Sequence, residues 1–303
     1  MRRTISRVAG APVSWGVNEV PGWGHQVGAE LVLGEAASVG LTAIEAGPEG
    51  FLPGDPADAA RVLAEHNLDL VGGFVPVVLH RPSRREGELA AVERQAEYLA
   101  AAGGEVLIVA ASTGSEGYEE GEAELDERSW EELFGGLAAV DEIGASHGLS
   151  VAVHPHFGTL IERRHHVERF LEGCETALCL DTGHLLLGGD DPMRVAVAAA
   201  HRVGVVHLKD VDRHLAQRVA AGELGYEEAV RKGVFKPLGD GGVELERVIE
   251  VIEGSGYRGW YVLEQDIMLD GEPVEGEGPI ENVRRSLAFV EGILEPAGGS
   301  TPR

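Results

Sequence analysis

The chain has 303 residues, of which 44% are hydrophobic and 25% are charged. That composition is typical of a globular domain with a substantial core, and the length allows one large domain or two smaller ones. The formal net charge of −26 argues against nucleic acid or an anionic membrane as a partner, because both bind clustered positive charge. No stretch approaches the roughly 20 apolar residues of a membrane span, and no apolar segment follows the basic start at residues 1–4 to make a signal peptide.

The chain alternates between short β-type runs and helical stretches rich in Ala, Leu and Glu, which is typical of a parallel sheet with crossover helices. Helical patterns at 86–102, 129–147 and 245–255 separate neighbouring runs. Eight βα units without a linker predict a single α/β domain, a (β/α)8 TIM barrel over residues 1–295, and a flexible tail at 296–303. The predicted strands are 5–15, 42–46, 68–76, 105–111, 150–156, 177–181, 203–209 and 260–265.

Local signals mark one helix and two long connections. Ser129 followed by Glu132 predicts a capping-box start, and His147-Gly148 predicts the end of the same helix. Residues 112–128 and 211–242 form the longest connections, and the second contains a helical pattern at 217–232. Both follow strands, so we expect them at the catalytic mouth of the barrel, as lids, as contacts in a homo-oligomer or as plain insertions.

Two cysteines, Cys174 and Cys179, are too few for a disulfide framework. They fall at the end of a predicted helix and in the following strand, so we expect both to be reduced core residues. Together with the lack of a targeting signal, this cysteine usage predicts a cytoplasmic protein.

Ionisable residues recur at the carboxyl ends of the predicted strands, where buried strands rarely carry them. Because successive strand residues point to opposite faces, an inward orientation brings four of them to one point. A single strand-end histidine is more often structural, but two imidazoles and two carboxylates together predict a site for one divalent metal ion. Mn²⁺ or Co²⁺ suits these ligands best, and Mg²⁺ or Fe²⁺ is also compatible. Zn²⁺ is possible too, but nothing in this ligand set favours it. The four residues are His154, Asp181, His207 and Glu264.

These motifs resemble those of the xylose-isomerase-like TIM barrels, the sugar-phosphate isomerase/epimerase superfamily, over nearly the whole chain. Asp-Thr-Gly-His from Asp181 and His-Leu-Lys-Asp from His207 are superfamily-wide motifs. The long connection after strand seven, which ends in Gly-Val-Phe from Gly233 and Gly-Asp-Gly from Gly239, is similar to the inosose (2-keto-myo-inositol) dehydratase branch. The other matching motifs are APVSWG at 11–16, EAGPEG at 45–50, HPHFGT at 154–159 and EQD at 264–266.

The resemblance implies a metal site that takes an acid from strand five, Asp181 from strand six, His207 from strand seven and Glu264 from strand eight. Strand five departs from that pattern, because His154 stands where many epimerases and isomerases have Glu. Either His154 is the fourth ligand or Glu162 on the following loop supplies a carboxylate.

The resemblance further implies a dehydratase that eliminates water from a keto-polyol such as 2-keto-myo-inositol (scyllo-inosose) through a metal-stabilised enolate. This reaction needs a base for the α proton and an acid for the departing hydroxyl. Lys209, His184 and the metal ligand Glu264 are the candidate catalytic residues, and the identity of the base stays open. We expect the metal and the other neighbours of Lys209 to lower its pKa, which would suit a base or an oxyanion donor. The structural alternative is an ion pair of Lys209 with Asp181 or Glu264.

Further polar residues are candidates for holding the substrate or assisting the leaving group. They are Glu45, His80, His156 and Arg213. Trp15 is either a flat wall against a substrate ring or a core residue. Asp210 and Asp240 are predicted to hold the loop after strand seven.

Other functions stay open on the sequence alone. A keto-sugar isomerase or 3-epimerase would use the same metal site, although a single metal-bound Glu weakens a two-glutamate mechanism. A three-metal barrel endonuclease needs a basic groove, which a chain with three lysines disfavours. A polyol-binding barrel without catalysis would bind its ligand without a metal.

Overall fold

The computed structural model describes residues 7–115 and 124–294. These residues form eleven strands, of which nine belong to one parallel sheet and two to a small antiparallel pair. The strands are β1 (Val8–Gly10), β2 (Ala43–Ile44), β3 (Asp69–Leu70), β4 (Gly72–Val77), β5 (Val106–Ala111), β6 (Ser150–Val153), β7 (Ala177–Asp181), β8 (Val203–Leu208), β9 (Asp210–Val211), β10 (Phe235–Lys236) and β11 (Tyr261–Leu263).

The large sheet closes on itself through one split strand. Its order is β3-β2-β1-β11-β8-β7-β6-β5-β4, so the two end strands are consecutive in the chain and separated only by Val71. The Val71 amide donates to the Ile44 carbonyl, and the Val71 carbonyl accepts from the amides of Glu105 and Val106. Gly72 permits this close approach, because a Cβ there would lie 1.8 Å from the Val106 carbonyl oxygen. The chain is therefore a TIM barrel, as predicted.

The described helices follow the strands and cover the barrel. In α10, for example, Leu245, Val248, Ile249 and Ile252 form the buried stripe that a 3.6-residue period requires. The helices are α1 (Ala29–Val39), α2 (Pro56–Glu65), α3 (Pro82–Ala101), α4 (Glu127–Ser146), α5 (Arg164–Gly173), α6 (Thr182–Leu187), α7 (Pro192–Ala199), α8 (Arg213–Ala220), α9 (Tyr226–Arg231), α10 (Leu245–Gly254) and α11 (Pro279–Leu294). Among the described residues, no helix combines the length and hydropathy that a bilayer crossing requires.

Each predicted strand contains an observed one, but several boundaries differ. The first strand ends at Gly10, because a 3₁₀ turn begins at Pro12, whose ring lacks the amide donor that a central strand needs. The predicted helix at 217–232 is two helices, α8 and α9. The tail at 296–303, residues 5 and 6 of the first predicted strand and part of the 112–128 connection lie outside the described residues.

The predicted start of α4 is wrong, whereas its predicted end is confirmed. Asp126 is the N-cap, and its carboxylate accepts a hydrogen bond from the Ser129 amide at 2.8 Å. An aspartate three residues earlier thus takes the role assigned to Ser129. The helix ends before His147, and Gly148 has a φ of 74°, the left-handed conformation that a helix end favours.

The described residues form three apolar clusters: one between the strands and helices, one inside the barrel, and one around α8 and α9. Both cysteines are buried free thiols, as predicted. The inner layer fills the barrel below its carboxyl end, so polar side chains above it face a closed apolar floor. The buried members of this layer are Ala9, Ala11, Ala43, Val71, Val106, Ile108, Ala152, Cys179, Val205, Trp260 and Val262.

Candidate active site

Five strands carry an ionisable residue at the carboxyl end of their inward face. In each case the residue two positions earlier belongs to the inner apolar layer, so strand alternation turns the ionisable side chain inward as well. None of the five is more than 8% exposed. The pairs of floor residue and ionisable residue are Ala43 and Glu45, Ala152 and His154, Cys179 and Asp181, Val205 and His207, and Val262 and Glu264.

The structure brings the four predicted metal ligands together. His154 Nε2 lies 3.1 Å from Asp181 Oδ2, and His207 Nδ1 lies 3.1 Å from Glu264 Oε2 and 3.7 Å from Asp181 Oδ2. Among the described residues, Nδ1 of His207, the nitrogen that faces these two carboxylates, is buried without an aligned hydrogen-bond partner. Because buried polar atoms normally have a partner, the two imidazoles and two carboxylates fit one divalent cation.

The positive charges around this cluster lower the pKa of two of its acids, Asp181 and Glu264. Burial alone would raise the pKa of Glu264, but His207 and Lys209 hold it well below the usual range. Burial opposes protonation of His207, yet its interactions with Cys179, Glu264 and Glu45 raise its pKa well above the ordinary value. Burial raises the pKa of Glu45 despite its hydrogen bond to His207. The cluster therefore presents carboxylates that are ready to accept a cation.

Lys209 adds a buried ammonium to the same cluster. Its Nζ lies 2.8 Å from Asp266 Oδ1, 3.0 Å from Glu264 Oε2 and 3.6 Å from Asp181 Oδ2. Burial lowers the pKa of Lys209, but the three carboxylates outweigh it and raise the pKa well above the ordinary value. The neighbours of Lys209 therefore raise its pKa instead of lowering it, and the lowering by a bound metal stays a prediction; without the metal, Lys209 is a cation at neutral pH.

Two further histidines lie beside Lys209. His184 Nε2 is 2.9 Å from Lys209 Nζ, and the rings of His156 and His184 are 3.7 Å apart between centroids. Burial, followed by the neighbouring charges, lowers the pKa of both well below the ordinary value, so both imidazoles are neutral. The Nδ1–H of His156 donates to the Phe157 carbonyl at 2.7 Å, which places basic character on Nε2. His184 contacts Lys209 but does not border the cavity, where the resemblance implied a substrate contact.

The two alternatives for the fourth ligand occupy different places. His154 belongs to the cluster, with its ring centroid 4.8 Å from that of His207. The Glu162 carboxylate accepts from the Gly158 amide at 2.9 Å and lies 3.9 Å from Arg163 Nε, on the loop after β6. The geometry therefore supports His154.

A cavity of about 280 Å³ opens above the cluster. Its volume is near the lower end of the range for small-molecule sites, roughly 300–1,000 Å³, which suits a monosaccharide-sized compound. Lys209 is the one lysine or arginine among the described residues that line it. The ionisable and amide side chains that line the cavity are Asn18, Glu19, Glu45, Glu49, Gln95, His154, His156, His207, Lys209, Glu264 and Asp266.

Three predicted substrate contacts lie away from this cavity. Trp15 is fully buried in the core, and its indole N–H donates to Glu35 at 2.8 Å, so it is the core residue of the two alternatives. His80 accepts a hydrogen bond from Arg81, and Arg213 donates to the carbonyl of Gly242. Their predicted roles in binding substrate find no support in the cavity.

Two buried site residues were missed by the sequence reasoning. Asp266 lies two residues after Glu264. Strand alternation turns both side chains to the same face, so this spacing could have identified Asp266 as a site residue. Tyr226 comes from α9 in the long connection, and its hydroxyl donates to Asp266 Oδ2 at 2.6 Å. No spacing in the sequence indicated that this helix would return to the site.

Asp210 holds the connection after β8, as predicted. Its carboxylate accepts hydrogen bonds from the amides of Gly239, Gly241 and Val243 at 2.9–3.0 Å. A Cβ at Gly241 would lie 2.3 Å from Asp210 Oδ1, so this loop requires a glycine there. Asp240 forms an exposed ion pair with Arg285.

The fold and the site define the class of protein: a TIM barrel with a buried histidine–carboxylate cluster at the carboxyl ends of its strands. The family model described as xylose isomerase-like TIM barrel matches residues 33–291. The chain therefore belongs to the xylose isomerase-like TIM-barrel family.

Relatives over most of the length support this assignment. Inosose dehydratase of Geobacillus kaustophilus (strain HTA426) is 31% identical, over 88% of this chain and 90% of that protein. The rhizopine catabolism protein MocC of Rhizobium meliloti is 30% identical, over 86% of this chain and 81% of that protein. A solved structure described as IOLI protein with a binding zinc atom covers 95% of this chain and 98% of its own, with a TM-score of 0.69 and 11% identity, so that likeness shows the fold. The chain is thus an enzyme whose inosose dehydratase relatives are hydro-lyases.

Proposed function

We propose that the chain is a metal-dependent dehydratase that eliminates water from a keto-polyol such as 2-keto-myo-inositol. The similarity to inosose dehydratases over nearly the whole chain supports the reaction, and the monosaccharide-sized cavity with its many hydrogen-bonding side chains supports the substrate class. His154, Asp181, His207 and Glu264 would hold one divalent ion. Mn²⁺ or Co²⁺ is the ion of first choice for these nitrogen and oxygen ligands, with Zn²⁺ next because the IOLI structure carries it.

The observation that carries the proposal is the ammonium of Lys209 beside the metal-binding cluster. An elimination must protonate a departing hydroxyl, whereas an epimerisation leaves every hydroxyl in place. Lys209 borders the cavity, and in the metal-free chain three carboxylates hold it in its charged form. This placement suits the acid that an elimination requires, and the similarity to inosose dehydratases favours that reaction over an isomerase or 3-epimerase.

The bound ion would polarise the ketone and stabilise the negative charge that develops on its oxygen. His156 lines the cavity as a neutral imidazole with its proton on Nδ1, so its Nε2 accepts the proton from the α carbon. The electron pair of that C–H bond moves into an enolate, and as the ketone re-forms this pair makes the double bond between the α and β carbons while the β C–O bond breaks. Lys209 gives a proton to the departing hydroxyl, which leaves as water. Asp266 and His184 orient the Lys209 ammonium through contacts of 2.8 and 2.9 Å.

The test is an assay of the metal-loaded protein with scyllo-inosose. Elimination creates a conjugated enolic diketone, so we expect ultraviolet absorbance to rise with time. Replacing Asp181 or His207 by Ala should remove both bound metal and turnover. Unchanged metal content in both variants would refute the metal site.

A small ketose panel, analysed by chromatography in the same assay, separates the alternative functions. Epimerised sugar without absorbance would favour the 3-epimerase. Affinity for polyols without any metal requirement would favour a binding protein.

A further inference from the structure

Glu45 makes a contact that its predicted role as a substrate contact does not explain. The Glu45 carboxylate Oε1 lies 2.8 Å from His207 Nε2, and only 4% of Glu45 is exposed although it borders the cavity. β2 and β8 are separated in the sheet by β1 and β11, so this hydrogen bond crosses the barrel interior. The contact therefore depends on the closed barrel and not on neighbouring strands.

We infer that Glu45 is a positioning residue that orients His207 for the metal, an inference that rests on the proposed metal site. When a cation replaces the Nδ1 proton of His207, a carboxylate at Nε2 keeps the remaining ring proton on Nε2, so the lone pair on Nδ1 is the one that binds the cation. Nδ1 is the nitrogen that faces Glu264 and Asp181, at 3.1 and 3.7 Å. Glu45 thus selects which nitrogen of His207 is available to the cation.

The residues around Glu45 support this role. Its hydrogen bond to His207 is the one side-chain hydrogen bond described for it, and the two side chains are 6% and 1% exposed. Ala43, two residues earlier on the same strand, packs in the inner apolar layer. This packing fixes the strand from which the Glu45 side chain extends. Carboxylates that orient a ligand histidine in this way typically contribute about 10–100-fold to metal affinity.

The test is the affinity of metal-free protein for Co²⁺ and Mn²⁺, measured by calorimetry and by the visible spectrum of bound Co²⁺. We expect Glu45→Ala to weaken both ions by about 10–100-fold and to change the Co²⁺ spectrum. Glu45→Gln keeps an oxygen acceptor for the Nε2 proton, so it should lose less affinity than Glu45→Ala. A pure substrate contact predicts a higher KM with unchanged metal affinity in both variants.

Glu35→Gln is the matched control. Glu35 is also a buried glutamate that accepts a hydrogen bond from a ring N–H, but its donor is Trp15, away from the site. We expect this variant to lower thermal stability and leave Co²⁺ affinity at the wild-type value. Metal affinity of Glu45→Ala within twofold of wild type overturns the inference and leaves the proposed function standing, whereas wild-type protein that binds neither ion overturns both.

Discussion

Replacing Lys209 by Met removes the buried ammonium and keeps much of the side chain's volume. In the proposed reaction Lys209 protonates the departing hydroxyl, and a positioned acid contributes typically 10²–10⁴-fold to the rate. We therefore expect kcat on scyllo-inosose to fall by about 10²–10⁴-fold. The fall should persist at saturating metal and substrate, because it is the chemical step that loses its acid.

The same substitution should change the stability of the metal-free protein. It leaves Asp266 and Glu264 without their contacts to Lys209 at 2.8 and 3.0 Å. Breaking a buried ion pair costs about 3–5 kcal/mol, and a chain of this size loses about 2 °C of Tm per kcal/mol. The metal-free Tm should therefore fall by roughly 6–10 °C. Saturating Mn²⁺ should reduce this loss, because the cation neutralises the same carboxylates.

The assays are steady-state ultraviolet kinetics and differential scanning calorimetry, each with and without Mn²⁺. Lys232→Met is the matched control, because Lys232 forms an exposed pair with Glu228 and lies outside the cavity. Turnover of Lys209→Met within threefold of wild type would refute the acid role. A metal-free Tm equal to that of wild type would refute the ion-pair reasoning.

Three further substitutions test individual contacts. Trp15→Phe should lower the free energy of unfolding by about 1.5–3 kcal/mol, because the buried Glu35 carboxylate loses a hydrogen-bond donor. A raised KM at unchanged stability would instead indicate that Trp15 contacts the substrate. Gly241→Ala should lower Tm, since its Cβ would meet Asp210 Oδ1 at 2.3 Å; a wild-type Tm in a thermal melt would contradict this. Tyr226→Phe should lower stability by about 1.5–3 kcal/mol and keep full metal content by elemental analysis; lost metal would contradict its position outside the ligand set.

The parts of the site that the sequence predicted are those set by strand alternation. His154, Asp181, His207 and Glu264 each follow an apolar residue by two positions on a strand whose direction the βα pattern fixed. A barrel places the carboxyl ends of all such strands at one mouth. Their meeting point was therefore predictable without knowledge of any loop.

The parts that were not predicted depend on contacts between distant segments. Tyr226 reaches Asp266 because α8 and α9 fold back over the barrel mouth, and no local pattern determines that path. The strand-end position of Glu45 is visible in the sequence and predicts a substrate contact. Its hydrogen bond to His207 across the barrel interior cannot be read from the sequence. Such contacts follow from barrel closure, which itself depends on the split strand at Val71.

The carboxylates around Lys209 yield a last prediction, which concerns the metal-free chain. A metal and burial both lower a lysine's pKa, but Asp266, Glu264 and Asp181 outweigh burial and raise the pKa well above the ordinary value. Since the pKa is raised on folding, the stabilisation by Lys209 should be complete below its unfolded pKa of about 10.4. It should be lost only as the pH rises through the higher folded pKa.

The measurement is the free energy of unfolding of metal-free wild type minus that of Lys209→Met, by urea titration across the alkaline range. Subtracting the variant cancels groups that titrate alike in both proteins. We expect a constant difference from about pH 7 to 9, because both the folded and the unfolded lysine carry their proton there, and a decline only above about pH 10.4. A difference that already declines between about pH 7 and 9 would mean that burial outweighs the three carboxylates, and Lys209 would then be able to act as the base.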